Sequence, residues 1–155
     1  MPGAKRGDAS VAQYELEIEI DAPPPRVWMS LTEELPMWWL PDFHILGADS
    51  VVSFDAQAGG HLIERTPDGS SLLWFTVHWI QPEAFTVGFF GHVGPDWGGP
   101  RTSMLKFAVE TRGEGSVVKV SDATYGSVDD ATLASLKSGW QTLFTDGLKK
   151  HVESH

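Results

Sequence analysis

The chain has 155 residues, a length that fits one domain built around one hydrophobic core. Its 21 acidic and 11 basic side chains give a net charge of −10, which opposes binding to nucleic-acid phosphates and to anionic membrane surfaces. The absence of cysteine excludes disulfides, thiolate metal sites and cysteine nucleophiles. It also permits the cytoplasmic location that we expect. Seven tryptophans and eight phenylalanines must either fill the core densely or line a cavity.

The first part of the chain predicts a leader, a strand and two short helices. Residues 1–11 are predicted to be a disordered leader before a single domain over residues 12–155, and residues 1–10 lack the apolar run of a signal peptide. No stretch is long and apolar enough for membrane insertion. From Tyr14 to Ile20 apolar residues alternate with glutamates, which predicts a strand with one buried face. Prolines then favour short helices at residues 26–34 and 36–40.

The middle of the chain predicts six further strands separated by turns rich in glycine and proline. They cover residues 49–55, 60–66, 72–80, 85–92, 103–112 and 116–124. Short strands in direct succession indicate an antiparallel meander. The loop at residues 94–100 lacks the lysine of a phosphate-binding loop. We interpret it as a mobile hairpin loop, or as a cavity lid with Trp97 at its tip.

The last segment has the periodicity of a long amphipathic helix over about residues 128–151. Ser127, Asp129 or Asp130 can cap its start. Such a helix needs an apolar surface, and the inward face of the sheet is the only large one available. The sequence therefore predicts an α+β fold in which a curved antiparallel sheet of six or seven strands wraps around this helix, with two short helices after the first strand.

Several short motifs occur in a characteristic order along the chain: Ile18 to Pro23 before Val27-Trp28, Met37 to Trp39, Gly59-Gly60 before a strand, Val77 to Pro82, and Gly139-Trp140 to Leu148. In these motifs and their order the chain resembles the START-like, helix-grip superfamily. Within it, the chain is similar to the branch named after the activator of the heat-shock protein 90 ATPase. The resemblance implies a helix-grip fold whose cavity between sheet and helix accepts lipids, sterols, polyketides or other apolar molecules. It supplies no catalytic signature.

The candidate ligand-binding residues are mainly apolar side chains predicted to face the space between the sheet and the C-terminal helix. They are Trp38, Trp39, Phe75, Val77, Trp79, Phe89, Phe107, Leu136, Gly139, Trp140 and Leu143. A solid core built from the same rings is the alternative. Gly139 and Gly147 lie inside the predicted helix, where glycine costs about 1 kcal/mol relative to alanine. Either a close backbone contact or space for a ligand should offset that cost.

Four polar candidates complete the predicted site: His61, Glu64, His78 and Asp122. One or two of them, or Tyr125, can point inward and form a hydrogen bond with the polar end of a ligand. A solvated face is the alternative, because a shift of one residue in a strand exchanges its two faces. The histidines and carboxylates show no metal-binding spacing, and no Ser-His-Asp constellation can be assembled. We therefore expect no metal and no cofactor, and we assign no catalytic residue.

Three classes of function remain open from the sequence. The first is a protein that binds a small apolar or amphipathic ligand without catalysis, as a monomer or homodimer. The second is an enzyme of the cyclase or aromatase type acting on a hydrophobic substrate, which would need an inward carboxylate or histidine with a shifted pKa. The third, suggested by the resemblance alone, is a chaperone-associated interaction module, which would need a large exposed apolar or charged patch.

Overall fold

A computed structural model describes residues 3–155 and shows a seven-stranded antiparallel sheet curved around a C-terminal helix. The strands are β1 (Ser10–Ile20), β2 (Val51–Phe54), β3 (His61–Arg65), β4 (Ser71–Gln81), β5 (Thr86–Val93), β6 (Arg101–Arg112) and β7 (Gly115–Gly126). Across the sheet they follow the order β1-β7-β6-β5-β4-β3-β2. Strands β2 to β7 thus form the predicted meander, and β1 is added beside the last strand. The predicted α+β architecture is confirmed.

Strand β1 is longer than the sequence pattern predicts. It pairs with β7 from Ser10, opposite Gly126, to Ile20, opposite Ser116. The last two residues of the predicted leader therefore lie in the sheet, while Met1 and Pro2 lie outside the described residues. The glutamates of β1 face away from the helix, and its alternate residues from Tyr14 onward are buried.

Two short helices, α1 (Pro24–Glu33) and α2 (Leu35–Trp38), follow β1 and lie against the sheet and the C-terminal helix. Both have proline in the first turn, where a backbone N–H has no helical hydrogen-bond partner, so the N–H that proline lacks is not needed there. The indole of Trp38 donates a 2.8 Å hydrogen bond to the carbonyl oxygen of Ser30. This bond fixes the two helices at an angle and points the Trp38 ring into the core.

The C-terminal helix has three parts: α3 (Asp130–Thr142), a π-helical segment (Leu143–Lys149) and α4 (Lys150–Glu153). The Asp129 side chain accepts a 2.8 Å hydrogen bond from the Thr132 N–H, so one of the three predicted caps is used. The π-helical segment passes against α2, and a Cβ at Gly147 would lie 2.5 Å from the carbonyl oxygen of Trp38. Glycine is required here because the two backbones approach too closely for a side chain.

The end of the C-terminal helix is fastened to the end of β1. The Lys149 ammonium donates a 2.6 Å hydrogen bond to the carbonyl oxygen of Glu19. The Glu153 carboxylate accepts one of 2.8 Å from the Asp21 N–H and a second of 2.9 Å from Lys149. The helix is thus fixed at this end, and the space that forms the candidate site lies toward its other end.

Candidate functional site

A cavity of about 190 Å³ opens between the concave face of the sheet and α3. Its lining is mostly aromatic and aliphatic, and it includes four polar side chains. The apolar residues are Trp39, Phe43, Trp74, Phe75, Val93, Leu136, Trp140 and Leu143, together with Gly91 and Gly139. The polar residues are Arg101, Ser103, Asp122 and Ser135. An apolar cavity of about 150 Å³ can hold benzene, whereas pockets for drug-sized ligands begin at about 300 Å³. The cavity therefore fits a small molecule, such as one aromatic ring with short substituents.

The aromatic wall of the cavity is held in edge-to-face and tilted contacts. Trp39 and Trp74 meet with ring centroids 5.3 Å apart and planes at 69°. Trp140 approaches Trp39 at 6.5 Å and Phe75 at 6.0 Å. Such offset and perpendicular pairs are the favoured arrangements of aromatic rings. The rings therefore form a rigid wall, and a planar ligand would meet both ring faces and ring edges.

Seven of the predicted site residues line the cavity, and four others pack in the core beside it. Lining the cavity are Trp39, Phe75, Leu136, Gly139, Trp140, Leu143 and Asp122. Buried in the core without lining the cavity are Trp38, Val77, Phe89 and Phe107. The two arrangements expected from the sequence, a pocket and a solid core, thus occur side by side in different parts of one apolar interior.

Trp79 lies on the outer face of the sheet, contrary to the prediction that it faces the ligand. Its indole covers Gly88 on the neighbouring strand, where a side chain would collide with the ring. The Lys106 ammonium lies 6.0 Å from the centre of the same ring. The pairing of β4 with β5 shifts between Val77 and Trp79, so His78 is an extra residue and the two faces exchange there.

The two predicted histidines do not reach the cavity. His61 and His78 are both exposed, and the His78 ring packs at 6.1 Å against Phe90. The four polar candidates are therefore reduced to Glu64 and Asp122. Tyr125, the additional polar candidate, is also exposed.

Glu64 is fully buried beneath the segment between α2 and β2 and supports the cavity wall from behind. Its carboxylate accepts hydrogen bonds from the Ile45 and Leu46 N–H groups, at 3.1 and 2.7 Å, and from the Ser50 hydroxyl at 2.7 Å. It also accepts the Trp74 indole N–H at 3.0 Å. Burial alone would raise the pKa of Glu64, but these hydrogen bonds outweigh burial and lower it. The Glu64 side chain is therefore a buried, ionised hydrogen-bond acceptor that holds the Trp74 indole in position.

Asp122 forms the polar end of the cavity. Its side chain is 3% exposed, and one carboxyl oxygen, Oδ2, accepts a 2.8 Å hydrogen bond from the Tyr14 hydroxyl. The other oxygen, Oδ1, has no hydrogen-bond partner among residues 3–155. Ser103, also buried, and Arg101 line the cavity near this carboxyl. The apolar wall thus ends in one buried carboxyl group with a free oxygen.

Burial dominates the protonation chemistry of this pair. It raises the pKa of Asp122 above its ordinary value, while the Tyr14 hydrogen bond, the Arg101 guanidinium and the neighbouring Ser103 hydroxyl act in the opposite direction. Burial, followed by the neighbouring Asp122 carboxyl, also raises the pKa of Tyr14 well above its usual range. Tyr14 therefore remains a hydrogen-bond donor, and Asp122 is the group at this end of the cavity whose charge can change.

Trp74, which lines the cavity, and Tyr14, which binds Asp122 beside it, were not among the candidates predicted from the sequence. Trp74 and Phe75 are neighbours in β4, yet both line the cavity, because the pairing of β3 with β4 shifts between Leu62 and Ile63 and leaves Trp74 as an extra residue. Tyr14 was assigned only to the apolar face of β1. Its hydroxyl was a usable signal, since Asp122 has the inward parity of β7 and lies directly opposite Tyr14.

The loop with Trp97 lies beside the cavity rather than inside its lining. Trp97 ends a 3-10 turn (Pro95–Trp97) and is more than half exposed. With Ile45, Leu73 and Trp74 it borders a separate shallow pocket. The structure therefore places the proposed lid tip next to a wall residue, Trp74, that both pockets share.

Within residues 3–155 no three histidine or acidic side chains are grouped as a metal site would require. None of the helices in this range combines the length and apolar character needed to cross a bilayer.

No family model matches the sequence, and no curated protein is significantly similar to it. Solved structures resemble it along nearly its whole length. Ara h 8.0201 superposes with a TM-score of 0.69 at 17% identity, covering 94% of this chain and 100% of that one. A putative uncharacterised protein from Rhizobium leguminosarum gives 0.67 at 18% identity, with coverages of 96% and 98%. Norcoclaurine synthase of Thalictrum, a point mutant in complex with a transition-state analogue, gives 0.63 at 17%, with coverages of 97% and 99%.

The chain has the START-like helix-grip fold. These identities establish the fold alone, and the more specific resemblance to the heat-shock protein 90 activator branch is not confirmed. In this helix-grip chain, strands β4 to β7 and α3 supply most of the cavity lining.

Proposed function

We propose that this helix-grip protein binds a small amphipathic molecule in the cavity between α3 and the sheet, without changing it chemically. The observation that carries the proposal is the lining itself, a rigid aromatic wall that ends in a single buried carboxyl group. Ligand sites are mostly apolar, with a few polar groups that fix orientation. The cavity volume favours ligands smaller than the sterols and lipids accepted elsewhere in the superfamily.

Gly139 supports this proposal independently. A Cβ at this position would meet only the Phe43 ring, at 3.8 Å, so the neighbouring backbone does not require glycine. Glycine inside a helix is nevertheless unfavourable by about 1 kcal/mol relative to alanine. Space for a ligand accounts for glycine here, whereas at Gly147 the close contact with Trp38 accounts for it.

Thermal-shift screening with one-ring and two-ring aromatic compounds tests the proposal, with small lipids and polyphenols in the same panel. A ligand at 100 times its dissociation constant adds about 2.7 kcal/mol of stability if it binds only the native state. This raises the melting temperature of a domain of this size by several degrees. Absence of a shift across all of these classes would contradict the proposal.

A matched pair of helix variants locates the bound molecule. Gly139→Leu places an isobutyl group in the cavity, whereas Ala134→Leu adds a similar bulk at an exposed position of the same helix. We expect Gly139→Leu to weaken binding at least about tenfold by occupying the volume, and Ala134→Leu to leave binding unchanged. Equal affinities of both variants would place the ligand elsewhere.

The Asp122 carboxyl favours one second candidate, an acid–base enzyme of the cyclase or aromatase type acting on a hydrophobic substrate. A buried carboxyl with a raised pKa facing an apolar cavity is the feature that such chemistry needs. Mass spectrometry of a ligand recovered after long incubation separates the two functions. A binding protein returns the compound intact, whereas an enzyme returns a product that Asp122→Asn no longer forms.

A further inference from the structure

The free Oδ1 atom of Asp122 is an unusual feature of the interior. Buried polar atoms almost always have a hydrogen-bond partner, because an unpaired one loses its hydration without compensation. Among residues 3–155, only this atom and the Thr86 hydroxyl are buried side-chain polar atoms without a partner. Of the two, only Asp122 lines the cavity. Within the cavity, the groups that can complete its hydrogen bonding are the Ser103 hydroxyl, which acts on this carboxyl, and a bound ligand.

The sheet register holds the carboxyl in place for this role. Asp122 lies opposite Tyr14 on one neighbouring strand and opposite Leu105 on the other, so it projects toward the helix. The Tyr14 hydroxyl occupies Oδ2. The Ser103 hydroxyl lies in the same lining, two residues before Leu105 on β6. Because the Tyr14 hydrogen bond and the strand pairing hold Asp122 in one orientation, its free oxygen offers a bound molecule a hydrogen bond in a defined direction.

The charges around the carboxyl favour a neutral ligand group. Arg101 lines the same cavity, its guanidinium donates a 3.1 Å hydrogen bond to the Gly98 carbonyl oxygen, and its charge acts on Asp122, so a cationic ligand would meet a like charge. An anionic ligand would meet the Asp122 carboxyl itself. A hydroxyl avoids both conflicts, since it can donate to an ionised carboxyl and accept from a protonated one. The raised pKa of Asp122, caused first by burial, makes this tolerance useful.

We propose that Asp122 is the specificity anchor of the cavity and selects a neutral aromatic molecule that carries a hydroxyl group, such as a small phenol. This inference rests on the proposed ligand-binding function and adds the chemical class of the ligand. The ring lies among Trp39, Phe75 and Trp140, and the hydroxyl meets Oδ1 of Asp122. A site built around a buried hydrogen-bonding group discriminates strongly against an analogue that leaves this group unpaired.

A pair of probes that differ in one hydroxyl tests the inference. In ¹⁵N-labelled protein, the backbone and tryptophan indole N–H signals are followed during titration with 4-ethylphenol and with ethylbenzene. We expect 4-ethylphenol to bind at least about tenfold more tightly, the ratio that corresponds to one good buried hydrogen bond. 4-Ethylbenzylamine, which is cationic at neutral pH, should bind more weakly than the phenol.

Two variants separate the anchor from general effects on the fold. Asp122→Leu has a similar shape without polar atoms and should remove the preference for the phenol while still binding ethylbenzene. Thr124→Val, the next inward position on β7, loses a buried hydroxyl that does not line the cavity, so it should keep the preference. If Asp122→Leu does not fold, the double variant Tyr14→Phe with Asp122→Leu replaces the whole polar pair by apolar groups.

The outcomes distinguish this inference from the proposed function. Equal binding of the phenol and ethylbenzene to the unmodified protein would overturn the anchor while leaving the binding function intact. Tighter binding of the amine would overturn the assignment of a neutral hydroxyl. A preference that survives in Asp122→Leu would show that another residue supplies the contact and would also overturn it. Binding of none of the probes would contradict the inference and the proposed function together.

Discussion

Burial gives the Asp122 carboxyl a different pKa in the folded protein than in the unfolded chain. The pKa of its carboxyl is raised in the native state, first by burial, so the native protein keeps a proton that the unfolded chain has already lost. Its contribution to stability is therefore fully present below the unfolded pKa of about 3.8 and falls as pH rises through the folded pKa. A carboxyl retained despite this loss at neutral pH fits a role in binding rather than in folding.

The first prediction concerns the variant Asp122→Asn, which cannot ionise. Relative to the unmodified protein, its free energy of unfolding should be higher at neutral pH than at a pH below the unfolded value of about 3.8, because the variant escapes the loss described above. Urea denaturation at both pH values measures the change. Asp96→Asn, at an exposed loop position, controls for the removal of one carboxylate. A difference between Asp122→Asn and the unmodified protein that is independent of pH would contradict the prediction.

Glu34 shows the opposite behaviour. Its carboxylate accepts hydrogen bonds from Arg26 at 2.8 Å and from Ser30 at 2.9 Å, and it lies 3.0 Å from Nε2 of His151. The Arg26 hydrogen bond, followed by those of His151 and Ser30, lowers the pKa of Glu34 to about 2. Its contribution to stability is therefore present above the unfolded pKa of about 4.5 and lost as pH falls toward 2.

The second prediction follows from this cluster. Glu34→Gln should destabilise the protein by about 1 kcal/mol at neutral pH, a discounted value because the carboxylate is partly exposed. The loss should shrink as pH falls from about 4.5 to about 2. Equilibrium urea unfolding across this range provides the measurement, with Glu33→Gln, the exposed neighbour in α1, as the control. An equal loss at every pH would exclude a charge effect.

At the scale of elements, the C-terminal helix contains two glycines with different reasons for being there. We predict that Gly147→Ala destabilises the protein by about 1–3 kcal/mol, because the new Cβ would lie 2.5 Å from the Trp38 carbonyl oxygen. Gly139→Ala should instead stabilise it by up to about 1 kcal/mol, since the nearest atom lies at 3.8 Å and alanine favours the helix. Denaturant unfolding of both variants checks this. Similar effects of the same sign would show that the two environments do not differ as described.

The strands show how far sequence patterning reaches. The alternation of apolar and polar residues predicted the inward face of β1. It also predicted that Phe75 and Val77 point to the same face of β4, and both side chains pack in the interior. Parity then failed at Trp79, because the shift in pairing beside His78 exchanges the faces. A shift of this kind depends on the neighbouring strand, and no local pattern in β4 signals it. For the same reason Trp74 was missed as part of the cavity wall.

At the scale of the whole molecule, Trp140 joins the two layers. Its ring contacts Phe75 and Phe107 on the sheet, at 6.0 and 5.7 Å, and Phe144 within the helix at 5.8 Å. We predict that Trp140→Ala destabilises the protein by about 3–5 kcal/mol, the range for removing a buried large aromatic side chain. Trp97→Ala, at an exposed loop tip, should change stability by less than about 0.5 kcal/mol. Chemical denaturation compares them, and a loss below about 1 kcal/mol for Trp140→Ala would place its ring outside the core.

The order of elements was enough to predict the fold, because each apolar face had a single large partner. The boundary between cavity and solid core could not be predicted. Phe107 and Trp140 have the same apolar character in the sequence, yet Phe107 packs against Phe89 and Phe144 at 5.1 and 5.0 Å and does not line the cavity. The boundary of the cavity depends on distances between residues that are far apart in the sequence. These distances are set only in the folded structure.

The pairing of β1 with β7 also constrains the order of events during folding. Strands β2 to β7 join neighbours along the chain, so each pair can form as soon as its second strand is available. Strand β1 must instead wait for a partner more than one hundred residues later, since Ser10 pairs with Gly126. Closing so large a loop is slow, and such long-range pairing delays folding. During synthesis, β1 therefore remains unpaired until β7 has been made, and the glutamates on one of its faces keep this unpaired strand charged.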